Sequence, residues 1–374
     1  MKSSSHAGPR IAWFVSDHGW GHAARQREII ENLLESCPGA GVTVVTGVSP
    51  WFWRQVDRVS LVRWASGPVP REKPGRIDHE ATRVFLTEFP GRMEDHLGEC
   101  RGILESTGAD LVVTDIDPVP AAAAFMAGLD CLAIGNFTWD WIYREMFPDL
   151  EALCDVIADL YQTAHYLRLP LGPPHSPFET SEDVGLVPGG SSRNASRARE
   201  ILGRGRNLLV TLRDPLRAGT TEPALPRGWK AFCSLPHRGL QGVENIPPQE
   251  LEARGLRYAD LAAAADALLI TPGYGTVSMA LALGKPVIAL DRDDFPEVPY
   301  LIRPLLERPA SLILGPEEIG GSGLADALDT VVQAPAPPPL ACDTDFVVSR
   351  ILERAARGRD KHGRPVRSDN GSRG

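Results

Sequence analysis

Short apolar runs recur along the chain, and most lead through a turn into a segment of helical period. Ile11–Val15 (IAWFV) is the first such run. It feeds into SDHGWGHAARQREIIENLLE, where Ile29, Ile30, Leu33 and Leu34 recur at helical spacing. Val42–Val45, Leu111–Thr114 and Cys131–Ile134 read as further buried strands, and Arg83–Ser106, Pro120–Met126 and Asp149–Tyr166 as helices. Residues 50–80 mix tryptophan, proline and charge without a clear period and read as a short strand and a loop. This alternation predicts an α/β fold class with a doubly wound, mainly parallel sheet.

The character changes over Leu169–Gly190, LPLGPPHSPFETSEDVGLVPGG, whose proline and glycine content reads as a linker. The alternation then restarts with strands at Leu208–Leu212 and Ala231–Ser234 and a helix over Tyr258–Ala265. The plainest unit follows. Ala267–Ile270 leads into a turn on Pro272, Gly273 and Gly275, helical character runs over Val277–Leu283, and Val287–Leu290 is the next strand. Strand, glycine turn, helix, strand is a parallel βαβ unit. After a break at Pro335–Pro339, Asp343–Arg357 is the last predicted helix. The expected division is a domain over 1–168, a linker over 169–190, a second domain over 191–357 and a disordered polar tail over 358–374. The last helix would be able to pack back on the first domain.

Composition narrows the function classes. The chain has 374 residues, enough for two ordinary domains, and 43% hydrophobic content. Its net charge of −9 argues against non-specific binding to nucleic acid or anionic membrane. Six scattered cysteines form no C-x-x-C pair, so neither a disulfide framework nor a zinc site is predicted. No apolar run is long and uncharged enough to span a bilayer, and MKSSSHAGPR carries no apolar h-region. A cytoplasmic location is expected on these grounds. No feature of the sequence fixes an oligomeric state.

Two glycine turns carry the chemistry. The second opens a helix at Thr276, where unpaired backbone N–H groups and the positive end of the helix dipole suit an anion. The first, Asp17-His18-Gly19-Trp20-Gly21-His22-Ala23-Ala24, contains G-x-G-x-x-A. A dinucleotide site would also want a carboxylate after the second strand, but Val45-Thr46-Gly47-Val48 has none there. His22, in the first helical turn, is a candidate proton acceptor, because a helix N-terminus favours the neutral imidazole. Asp115, at the end of the Leu111–Thr114 strand, is the candidate acid to orient it. Each residue alone also fits a packing or capping role.

The motif set resembles the GT-B glycosyltransferases. More narrowly, it resembles the glycosyltransferase-like N-terminal region of plant L-arabinokinases and its free-standing bacterial relatives. The stretches that carry it are His18-Gly19-Trp20-Gly21-His22-Ala23, Val45-Thr46-Gly47, Asn136-Phe137-Thr138-Trp139-Asp140-Trp141-Ile142-Tyr143, Leu225-Pro226-Arg227-Gly228-Trp229, Gly273-Tyr274-Gly275-Thr276-Val277-Ser278 and Arg292-Asp293-Asp294-Phe295-Pro296-Glu297. The sugar-kinase part of the plant proteins is absent, so kinase activity is not implied.

The resemblance implies two Rossmann-like domains facing across a cleft, with the acceptor on the first and a nucleotide-sugar donor on the second. It makes His22 the catalytic base with Asp115 behind it. Donor contacts fall to Gly273, Tyr274, Gly275, Thr276 and Ser278, to Asp293 and Glu297 for sugar hydroxyls, and to Arg213 for phosphate. Acceptor contacts fall to His18, Trp20, Trp139 and Asp140. A UDP-sugar is the favoured donor and a small molecule or glycoside the acceptor, with no cofactor and no metal. Met279 stands where relatives usually carry a glutamate that contacts the ribose, and Leu212-Arg213-Asp214-Pro215 replaces their glycine-rich loop. The implied activity is inverting, metal-independent sugar transfer. The alternatives are a silent nucleotide-sugar binding module, or a nucleotide-sugar epimerase or hydrolase on the same fold.

Overall fold

The computed structural model describes the chain apart from residues 1–7, 55, 66, 74–75, 213–222, 235–239, 241, 293 and 359–374. Two compact units result, one of Met1–Arg71, Asp78–Val187 and Asp343–Gly374, the other of Glu72–Ile77 and Pro188–Cys342.

In the first unit β1 (Arg10–Val15), α1 (Trp20–Ser36), β2 (Gly41–Thr46) and β3 (Val59–Arg63) come in order. A small hairpin, β4 (Glu72–Lys73) and β5 (Arg76–Ile77), belongs to the second unit. The first unit continues with α2 (His79–Thr107), β6 (Leu111–Thr114), α3 (Pro118–Met126), β7 (Cys131–Gly135), α4 (Trp139–Met146), α5 (Glu151–Asp159), β8 (His165–Arg168) and β9 (Thr180–Asp183). The strands form one sheet in the order β3-β2-β1-β6-β7-β8-β9, and every pairing is parallel. β1, β6 and β7 are almost wholly buried, as a sheet covered on both faces requires.

Two stretches differ from their sequence reading. The helix expected over Asp149–Tyr166 stops at Asp159, and Tyr166 sits inside β8. Its Tyr166 and Leu167 side chains are buried, and the segment hydrogen-bonds along the edge of β7, a partner only the fold supplies. The proline-rich segment contains β9, which adds the outer parallel strand beside β8.

The second unit repeats the plan. It runs α6 (Ala195–Leu202), β10 (Arg206–Thr211), β11 (Trp229–Cys233), β12 (Val243–Asn245), α7 (Pro248–Ala253), α8 (Tyr258–Ala264), β13 (Ala267–Ile270), α9 (Tyr274–Leu283), β14 (Val287–Leu290), α10 (Val298–Leu306), β15 (Ser311–Leu314) and α11 (Gly323–Gln333). Its sheet is parallel throughout, in the order β12-β11-β10-β13-β14-β15. The core beneath α11 is aliphatic, with Leu208, Leu269, Ile288, Leu324 and Leu328 all fully buried. The last helix, α12 (Thr344–Arg357), packs on α1 in the first unit. Asp343 receives the Gly185 N–H at 2.6 Å there, and Arg354 reaches Asp130 at 3.1 Å.

Each sheet reverses its winding once, between β1 and β6 in the first and between β10 and β13 in the second. At such a switch point two loops diverge and leave a crevice outside the carboxyl ends of the strands. Both glycine turns of the sequence fall at these positions.

Candidate functional site

The first switch point is built by two turns of unusual backbone. Gly19 precedes α1 with φ 76, a left-handed value that glycine adopts at little cost, and it places His22 within the first turn of the helix. On the other side, β6 ends at Thr114 and Asp115, and Ile116 then takes φ 55. That value strains a β-branched side chain, so the surroundings must hold it. Thr114 Oγ1 donates to the Asp117 carbonyl at 2.8 Å, the Tyr161 hydroxyl donates to the Ile116 carbonyl at 2.5 Å, and Asp117 caps α3 through the Val119 N–H. Gly135, at the end of β7, leaves room for Ile116, since a Cβ there would lie 2.1 Å from its Cγ2. The capping role that Asp115 could have taken therefore belongs to Asp117, and Asp115 is left pointing at α1.

There Asp115 Oδ2 lies 2.9 Å from His22 Nδ1. Its other oxygen accepts from Arg25 Nη2 at 2.6 Å and from Gln26 Nε2 at 3.0 Å. The carboxylate is 0% exposed and Arg25 is 1% exposed, while the His22 side chain keeps 12%. Burial works to raise the Asp115 carboxyl, but the charges of His22 and Arg25 and their hydrogen bonds outweigh it and bring it down to about 2. A carboxylate this acidic is ionised throughout the working range. It favours the His22 tautomer that donates from Nδ1, which leaves Nε2 as the proton acceptor.

Arg25 and Gln26 carry no role in the sequence reading. A signal was available: they stand three and four residues after His22, on the same face of one helix. Asn136 was legible only as part of a motif. It accepts from Arg25 Nη1 at 3.3 Å and donates to the Leu171 carbonyl at 3.3 Å, so the strand-end loops are laced together.

The four acceptor-side candidates separate by exposure. Trp20 is 42% exposed and meets the rings of Trp51 and Phe52 at 5.4 and 5.6 Å. Arg27 lies over Phe52 at 5.3 Å and donates to its carbonyl at 2.9 Å, which pins that platform. His18 is half-buried, edge-on to Trp139 at 5.4 Å and 6.0 Å from the His22 ring. Trp139 itself is buried between His18, Phe137 and Tyr143. Asp140 is also buried, and its Oδ2 meets His175 Nε2 at 2.7 Å. His175 comes from the proline-rich segment and had no sequence signal.

The second switch point carries the other turn. α9 begins at Tyr274 with Gly273 as its N-cap, no side chain caps it, and no acidic residue stands in its first turn. Thr276 Oγ1 donates to the carbonyls of Gly273 at 3.0 Å and Thr271 at 3.3 Å, which fixes the turn. Gly275 and Thr276 are half-buried, whereas Tyr274 is buried. Ser278 is fully buried and donates to the Gly275 carbonyl at 3.3 Å. Met279 is buried as well. Glu297 is buried at the N-terminus of α10. Arg213 and Asp293 lie outside the described residues. Among the described residues, no group of three or more His, Cys, Asp or Glu side chains is placed to hold a metal ion, and no helix is long and apolar enough to cross a membrane.

Two Rossmann-like sheets with matching switch points define the GT-B glycosyltransferase fold, and this chain has it. In sequence, the chain is 30% identical over 314 residues to the L-arabinokinase of Arabidopsis thaliana. That match takes in 79% of this chain and 29% of the plant protein, so the chain spans less than a third of the length of its relative. No family model matches. Among solved structures, the glycotransferase of kitacinnamycin superposes with a TM-score of 0.57 at 14% identity, over 94% of this chain and 95% of its own. Arabidopsis thaliana UGT89C1 gives 0.58 at 11%, over 96% of each chain, and has been solved with UDP and with UDP-L-rhamnose. A putative UDP-N-acetylglucosamine 2-epimerase of Listeria monocytogenes gives 0.53 at 12%, over 92% of this chain and 95% of its own.

Proposed function

We propose that the protein is an inverting, metal-independent glycosyltransferase that uses a UDP-sugar donor and a hydroxyl acceptor on a small molecule or glycoside. The observation that carries this reading is the buried His22–Asp115 pair at the first switch point. In the proposed step, His22 Nε2 takes the proton of the acceptor hydroxyl as its oxygen attacks the anomeric carbon. The bond from that carbon to the donor diphosphate breaks, and the nucleoside diphosphate leaves with the electron pair. Asp115 holds the imidazole in register and stabilises the imidazolium that forms. The uncapped first turn of α9 receives the diphosphate through backbone N–H groups and the helix dipole.

By this reading the first unit takes the acceptor, with Trp20 and His18 nearest solvent and Trp139 and Asp140 beneath them. The second unit takes the donor at Gly273–Ser278, with Glu297, Arg213 and Asp293 completing its contacts. The protein works as a cytoplasmic enzyme.

The first experiment is a thermal-shift panel of UDP, GDP, dTDP and ADP with their common sugar conjugates. A selective rise with UDP and a UDP-sugar supports the donor assignment. Transfer to an acceptor library, run with and without EDTA, then tests the activity and its independence of metal. Folded His22→Ala protein that transfers sugar as fast as the parent removes the mechanism.

A second reading is supported by the epimerase among the structures of this fold. Incubation of the donor alone separates the two: a C2 epimer or free sugar formed without acceptor marks an epimerase or hydrolase.

A further inference from the structure

The Asp115 carboxylate faces two partners on α1, His22 and Arg25, and the second is the informative one. Arg25 is buried on α1, three residues after His22, with Nη2 2.6 Å from Asp115 Oδ1 and 3.4 Å from His22 Nδ1. Its Nη1 donates to Asn136 Oδ1 at 3.3 Å. Gln26 holds the same carboxylate oxygen at 3.0 Å and is itself oriented by Trp13 Nε1 at 3.0 Å. A guanidinium remains charged at any working pH. The imidazole therefore lies over an ion pair of no net charge.

That arrangement changes what a histidine–carboxylate pair does. A lone buried carboxylate favours the imidazolium, so the histidine would hold its proton and be spent as a base. Arg25 offsets that charge and sets a positive nitrogen close to Nδ1. The charged or titratable groups in contact with His22 among the described residues are Asp115 from the end of β6, Arg25 from α1 and His18 from the loop after β1. Phe137, after β7, covers the ring without charge at 5.9 Å.

We propose that Arg25 is a positioning residue that sets the proton affinity of His22: it fixes the Asp115 carboxylate and cancels part of the charge that carboxylate presents to the imidazole. The catalytic meaning rests on His22 being the base, but the titration does not.

The test is an NMR titration of the His22 ring in full-length protein, assigned by its loss in His22→Ala. Three proteins are compared: parent, Arg25→Met, and Arg25→Met with Asp115→Asn. With Arg25 gone and Asp115 kept, the His22 midpoint rises by roughly one pH unit, a tenfold gain in proton affinity. Removing both charges returns it to within about half a unit of the parent. An Arg25→Met midpoint equal to the parent's overturns the proposal and leaves Arg25 a structural residue. Should Arg25→Met not fold, the other pair decides, because the double variant replaces a buried ion pair by neutral groups and is expected to fold. A parent midpoint more than about one unit above the double variant's overturns the proposal, since Asp115 would then act uncancelled. Undiminished transfer by His22→Ala would instead remove the base assignment and leave this titration standing.

Discussion

His22 and Asp115 stand 93 positions apart in the chain and 2.9 Å apart in the fold, joined across the point where the first sheet reverses its winding. Neither turn makes the pair alone. Gly19 lets the chain turn into α1 so that His22 falls in its first turn, while the left-handed Ile116 lets β6 end on a carboxylate aimed at that helix.

Removal of the imidazole should therefore cost activity and spare the fold. His22→Ala is expected to lower kcat by about 10²- to 10⁴-fold, the range of a lost general base. Its circular dichroism should stay close to the parent's, while its melting temperature falls modestly because the buried Asp115 carboxylate loses one of its three partners. Initial rates on a responsive acceptor check the first expectation and a thermal melt the second.

Asp115 should leave a mark on acid stability. Its carboxyl is lowered to about 2 in the folded protein, against about 3.9 when unfolded. A depressed acid stabilises the fold above its unfolded value, and the contribution is lost as pH falls through the window between the two. Urea unfolding free energies of the parent should decline over that window by up to about 1.4 kcal/mol per pH unit from this group. The Arg25→Met, Asp115→Asn double variant should lack that part of the slope while other carboxylates keep theirs.

Gly135→Ala tests the strained turn. The added Cβ would meet Ile116 Cγ2 at 2.1 Å, and Ile116 is fully buried. A loss of about 1–3 kcal/mol is expected from overpacking, read from denaturant midpoints. Activity should fall beyond the loss of folded protein, because Asp115 adjoins the displaced residue.

Trp20→Ala separates acceptor binding from chemistry. The indole is more than two-fifths exposed, so its removal should change stability by no more than about 0.5 kcal/mol. If the platform stacks a sugar or aromatic ring, KM for the acceptor rises several-fold while the donor KM is unchanged. A change confined to kcat would place Trp20 outside the binding surface.

Thr276→Val probes the second turn. The hydroxyl holds the carbonyls of Gly273 and Thr271, so its loss should cost about 1 kcal/mol of stability and loosen the turn. The thermal shift produced by the responsive nucleotide should shrink with it.

Much of this was legible without coordinates. Ile11–Val15, Leu111–Thr114 and Ala267–Ile270 are short, apolar and followed by turn formers, and such runs read as buried parallel strands whatever surrounds them. The same local logic located both glycine turns, because backbone that must turn sharply into a helix calls for glycine. It also singled out His22 and Asp115 as residues at element ends.

Tertiary structure decided the rest. Tyr166 lies in β8 because the open edge of β7 accepts it, and nothing within the segment itself announces that edge. Arg25 and Gln26 carry no role in the sequence reading, yet both are buried in the fold, where Asp115 offers them a partner from the end of a distant strand. His175 reaches Asp140 only because the loop after β8 folds back toward α4. Local sequence determined the strands, the turns and the candidate base, for those depend on neighbouring residues. The charge environment of that base depends on groups brought together from distant strands, and only the fold brings them there.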